Sequence, residues 1–160
     1  MMPTLIARFL LALAIVAGHV ASHVAGASAQ SLDAFKQGWV LDPKLSNVYM
    51  QTVKANSIFE THRFNSVEGG INANAEASVK IDLSSIDSGV DVRDVRLRFV
   101  LFETFKFPYA EVTAKLDPEK LQPLLTSTRI EYPLTLTLNL HGFVREIKAR
   151  VWVTRISDTT

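Results

Sequence analysis

The chain has no cysteine. That excludes disulfides, thiolate metal sites, a catalytic thiol and a lipidated N-terminal cysteine. Charge is nearly missing from the start, where Arg8 is the only charged residue before Asp33. Arg8 stands ahead of the apolar run Phe9 to Ala17, which is much shorter than the roughly 20 apolar residues a membrane-spanning helix needs. Gly18, His19, Ser22 and His23 then break its apolar character. With the small residues Ala27-Ser28-Ala29, this is the layout of a secretory signal cleaved after Ala29. The expected organisation is a signal over residues 1–29 and one domain over residues 30–160.

Other absences narrow the chemistry. There is no glycine-x-serine-x-glycine nucleophile motif, no glycine-rich phosphate cradle and no zinc-binding histidine pair. The run Asp87 to Asp91 resembles a calcium loop only superficially. Its glycine falls at the third position instead of the sixth, and Arg98 occupies the place of the bidentate glutamate. Beyond the signal only His62 and His141 remain. Glu60 and His62 would share a strand face, but two ligands do not close a metal site. The expectation is a protein with no catalytic residue, no metal and no cofactor, and not an enzyme. Basic and acidic residues number 17 and 16, and loss of Arg8 with the signal makes them equal. Such a chain has no global field and no basic stripe to draw in nucleic acid or an anionic membrane.

What the chain has is alternation. Leu134, Leu136, Leu138 and Leu140 interleave with Thr135, Thr137, Asn139 and His141, which makes a strand with one apolar face. The same pattern fits Val79, Ile81 and Leu83, then Val112, Ala114 and Leu116, then Ile147, Ala149, Val151 and Val153. Strands wetted on one face indicate an antiparallel sheet. His141-Gly142 predicts a hairpin joining Leu134–Leu140 to Phe143–Arg155. Ser46–Lys54, Ser57–Phe64 and Val67–Ile71 are further strands, with Gly69-Gly70 marking a turn or a sharp bend. From Asp91, the residues Val92, Val95, Phe99 and Phe102 recur at helical steps, with Asp91 as the N-cap and Pro108 returning the chain to strand. Seven or eight antiparallel strands with one inserted helix fit a barrel or a sandwich equally well.

Four motifs occur in order: Trp39 with Asp42-Pro43 and Ser46; Ile81 to Ser88; Arg93-Asp94 with Leu97; and Phe107-Pro108 followed by Leu140-His141-Gly142. On these the chain resembles the YceI-like periplasmic proteins from about Trp39 to about Val153. The resemblance implies an all-β fold, an eight-stranded antiparallel lipocalin-like barrel, located in the periplasm. It also implies an elongated apolar pore that holds an isoprenoid or quinone-like lipid, and it brings no catalytic residue. Glu60 to Phe64 departs from the aromatic-rich strand of the central members, which points to a divergent branch.

The pore residues expected from alternation are Val79, Ile81, Leu136, Leu138, Val151 and Val153, with Phe99, Phe102 and Phe105 on or beside the helix. Each would equally serve as core packing. Arg93 could hold a lipid head group, although a charged pair at a helix start more often anchors the element. Two other functions fit the same chain: sequestration of amphiphilic small molecules, and a ligand-free stress-related interaction module. Neither pattern nor motif settles the oligomeric state.

Overall fold

The computed structural model describes residues 8–12, 35–54 and 57–156. The cleavage position expected after Ala29 lies outside them. Strand β1, Arg8–Ala12, falls within the segment read as a signal and pairs antiparallel with β3. The other strands are β2 (Trp39–Val40), β3 (Asn47–Lys54), β4 (Ile58–Phe64), β5 (Val67–Ile71), β6 (Glu76–Asp82), β7 (Ile86–Asp87), β8 (Tyr109–Lys115), β9 (Arg129–Leu140) and β10 (Phe143–Thr154). All pairings are antiparallel, in the orders β1-β3-β4-β7 and β10-β9-β8-β6-β5-β2.

These two sheets are stitched along one line of chain, because β4 runs into β5 through Asn65-Ser66. The Asn65 amide donates to the Ser85 carbonyl at 3.1 Å, and the Asp82 amide donates to the Ser66 carbonyl at 3.0 Å. The serine-rich motif after Ile81 holds this join. The Asp82 carboxylate accepts from the Ser84 amide at 2.8 Å, and the Ser85 hydroxyl accepts from the Ser66 amide at 3.0 Å. Asp42-Pro43 to Ser46 is likewise a turn between β2 and β3, in which the Ser46 amide donates to the Asp42 carbonyl. These motif residues fix where the sheet bends.

The β9–β10 hairpin pairs in the register its sequence implies, with Leu140 opposite Phe143 and Ile130 opposite Val153. His141 and Gly142 have φ of 54° and 76°, the backbone a two-residue hairpin turn needs. Of the two readings of the glycine pair, the turn is ruled out: both lie inside β5, where Gly70 pairs with Val40 and Ser78, and Gly69 pairs with Val79 while its carbonyl accepts from the Leu41 amide. Their reason is close approach. A Cβ on Gly69 would sit 2.3 Å from the Ser78 carbonyl oxygen, and one on Gly70 equally near the Trp39 carbonyl oxygen.

The helical insert also differs from its periodicity. Helix α1, Asp91–Arg96, is capped by Val90 in extended backbone, and a π-helical turn follows over Leu97–Leu101. Val92, Val95 and Phe99 point to solvent, whereas Asp94, Leu97 and Leu101 pack inward. Asp94 is buried because its carboxylate accepts from both the amide and the hydroxyl of Ser88. A second helical segment without a sequence forecast, the 3₁₀ helix Pro118–Leu125, starts at Asp117, whose carboxylate accepts from the Glu119 amide.

Candidate functional site

Direct cross-strand neighbours share a sheet face. One such row runs from Gly69 through Val79, Val112 and Leu138 to Arg145. Another contains Leu136 and Ile147. Val79 lies in the buried core, so these rows define the inner face of the sheet.

Two apolar clusters fill parts of that face. One contains Met50, Phe64, Val79, Ile81 and Ile86 with Phe102 from the end of the helical insert, and Val112 and Leu140 pack against it. The other centres on Phe35, Ile71, Leu121 and Tyr132, with Leu134, Val151 and Val153 against it. Leu136, Leu138 and Ile147 belong to neither cluster. Leu136 and Leu138 are half-buried, and Ile147 is 38% exposed. The small side chains Ala77 and Ala114 line the same face of the neighbouring strands. Leu136, Leu138 and Ile147 thus form a partly exposed apolar strip across β9 and β10, the trough, that belongs to neither packed cluster.

The expected pore residues therefore divide. Val79, Ile81 and Phe102 are buried core; Leu136 and Leu138 form the trough; Val151 and Val153 border it as half-buried members of the second cluster. Phe99 and Phe105 are 55% and 72% exposed and join neither cluster. Arg93 reaches the Glu60 carboxylate at 3.3 Å, which ties α1 to β4. Ile147 is the trough residue absent from the set expected by sequence, although its place in the β10 alternation carries the signal.

A groove of about 810 Å³ lies along the same sheet and reaches Ile71, Ala77 and Ala114. Ser78, Thr113, Thr137 and Glu146, which form a single cross-strand row, are among the residues that line it. Trp39, Ile71, Ala77 and Ala114 line it as well, so its walls mix polar and apolar side chains.

His62 is buried under the helical insert. Its Nε2 lies 3.1 Å from the Thr52 hydroxyl, and its Nδ1 has no hydrogen-bond partner. Burial, aided by the Arg93 charge, holds its pKa below 6.5, against the opposing pull of Glu60 and Asp94. The unfolded chain therefore takes up a proton first as pH falls. The contribution of neutral His62 to stability is complete above pH 6.5 and is lost as pH drops from 6.5 through the lowered folded value. Denaturant unfolding at several pH values is expected to show this loss, and His62→Gln to flatten that part of the profile. An unchanged slope in the variant would remove His62 from the account. Among the described residues no cluster of three histidine or acidic side chains could hold a metal.

An antiparallel β fold with a short helical insert and a greasy inner trough defines a class of small binding domain. The YceI-like domain model matches residues 39–159, and the chain belongs to this family. Among solved structures it is similar to a polyisoprenoid binding domain from Saccharophagus degradans implicated in plant cell wall breakdown. The identity is 36% and the TM-score 0.69, over 74% of this chain and 68% of that one. No curated protein matches.

Proposed function

We propose that this protein binds an isoprenoid, or another long apolar lipid, along the inner face of its sheet, and that it carries or shields that lipid after export to the periplasm without chemically changing it. The observation that carries the reading is the trough of Leu136, Leu138 and Ile147, which belongs to neither packed cluster. The polyisoprenoid-binding relative supports it. Burying one five-carbon isoprene unit yields about 3 to 4 kcal/mol at roughly 0.8 per methylene. Four units, about 12 to 16 kcal/mol, then reach the roughly 8 kcal/mol of micromolar affinity after an association cost of about 4 kcal/mol. Affinity comes from the tail.

We also propose that the sheet closes into a barrel once residues 1–29 are removed. Removal takes β1 off β3. The outer edge of β10 is unpaired among the described residues. The alternating strand directions leave β3 and β10 antiparallel, so the two edges can pair and convert the trough into a pore.

The test is competition by farnesol for an apolar fluorescent probe. Leu136→Glu places a charge in the trough, and farnesol affinity is expected to fall at least tenfold, about 1.4 kcal/mol, with the fold unchanged by circular dichroism. Undiminished affinity in the folded variant would contradict the trough as the site. No uptake of probe by the unaltered protein would favour a ligand-free interaction module.

A further inference from the structure

The helical insert carries apolar side chains on both of its sides. Leu97 and Leu101 pack inward on the core cluster, whereas Val92, Val95, Phe99 and Val100 are each at least half exposed. Steps of three and four residues gather these four on one outward face of residues 91–101. A helix of a water-facing domain normally turns charged and polar residues to that side. Phe105, in the turn that follows, is exposed as well. Arg96 stands four residues from both Val92 and Val100, inside the same face, and Lys106 is exposed next to Phe105. Among the described residues Arg96 has no acidic partner. The acids of the insert are engaged or peripheral: Asp94 is buried on Ser88, Glu103 holds His141, and Asp91 is exposed at the first helical position. Arg93, the head-group residue suggested by sequence, is held by Glu60.

Apolar side chains set around an arginine match the boundary of a lipid bilayer, where rings and branched chains enter the acyl edge and a guanidinium meets lipid phosphates. A second copy of the chain fits worse. A two-fold contact would bring two copies of Arg96 and Lys106 into one interface, and five side chains supply only part of the roughly 800 Å² per partner that a stable dimer buries. We propose that the outward face of the insert docks on a bilayer surface, with Val92, Val95, Phe99 and Val100 in the acyl edge and Arg96 on the phosphates. The insert has six α-helical and five π-helical residues, far short of the roughly 20 that a spanning helix needs, so it lies in the interface. The near-balanced charge of the chain supplies no long-range pull, and the contact is chiefly apolar. Its purpose rests on the lipid-binding reading above. Phe102, at the end of the insert, belongs to the cluster against which Val112 and Leu140 pack, and Val112 stands opposite Leu138. Docking brings this end of the trough to the membrane that yields or receives a water-insoluble chain.

Because the chain has no cysteine, a single polarity-sensitive dye can be placed by Val95→Cys, or by Lys148→Cys on β10 as a distant reference. Each labelled full chain is titrated with vesicles of phosphatidylcholine mixed with phosphatidylglycerol. Fluorescence is expected to rise at position 95 and to stay level at position 148. Phe99→Glu and Val100→Glu each exchange a buried apolar contact for a charge, and each is expected to raise the lipid concentration for half the effect at least tenfold. Arg96→Gln is expected to raise it about fivefold. The replaced side chains are exposed, so the variants are expected to unfold at the same temperature as the parent. The proposal is overturned if position 95 does not respond, if position 148 responds equally, or if the glutamate variants respond as the parent does. A dimer in analytical ultracentrifugation that Phe99→Glu disperses would assign the face to a second copy and overturn it too. Farnesol competition separates this result from the lipid reading. Val100→Glu is expected to keep the parent's farnesol affinity, and a tenfold loss there would place Val100 in the lipid site and overturn the docking role. Failure of farnesol to bind the unaltered protein, with the response at position 95 intact, would remove the lipid reading and leave the docking face standing.

Discussion

Phe64→Ala is expected to cost about 4 kcal/mol of folding stability, a large share of the roughly 5 to 15 kcal/mol that holds a typical domain folded. Phe64 is only 2% exposed and sits at the end of β4, where the chain turns into β5 and the two sheets join. Its ring lies 6.0 Å from that of Phe102 at an interplanar angle of 59°, which places the C-terminal end of the helical insert on the core. Removing the ring leaves a cavity among Met50, Ile81 and Ile86 that a sheet paired on both sides cannot collapse to fill. Guanidinium unfolding measures the loss. A double-mutant cycle with Phe102→Ala is expected to return about 1 kcal/mol of coupling between the rings. A cost below about 1 kcal/mol would show that this cluster does not hold the two sheets together.

Gly69→Ala is expected to cost about 3 kcal/mol without removing any contact. The added methyl carbon would meet the Ser78 carbonyl oxygen at 2.3 Å and the Val79 Cα at 3.0 Å. Both atoms are backbone, so no side-chain rotation relieves the clash, and β5 must move away from β6. The amides paired between Val67–Ile71 and Ala77–Ile81 are then expected to exchange faster with deuterium. A stability within about 0.5 kcal/mol of the parent would mean that the sheet absorbs the methyl group, and the close-approach explanation of this glycine would fail.

The hairpin of β9 and β10 is legible in the sequence because two local signals agree. Strict alternation fixes which side chains face inward, and His141-Gly142 supplies the two positive φ values that set the register. The helical insert is legible as a helix but not in its orientation. Periodicity ranks positions by apolar character, and so it turns Val92, Val95 and Phe99 inward. The chain instead buries Asp94, whose partner Ser88 lies six residues upstream, and anchors Arg98 to the Ile86 carbonyl. Hydrogen-bond partners outside the element override its apolar stripe, and no local pattern encodes them.

Gly69 shows a related limit. Glycine signals a turn or a close approach equally well, and only the neighbouring strand decides which. The trough is half legible: alternation names Leu136 and Leu138, yet gives Val79 and Ile81 the same standing, because it cannot tell a filled stretch of inner face from an open one.

Native mass spectrometry of the protein purified without detergent, followed by organic extraction, tests the central claim most directly. The account predicts an adduct of uniform mass that extraction identifies as a prenyl chain, and its loss from Leu136→Glu. Bare protein that takes up neither an apolar probe nor farnesol would contradict it.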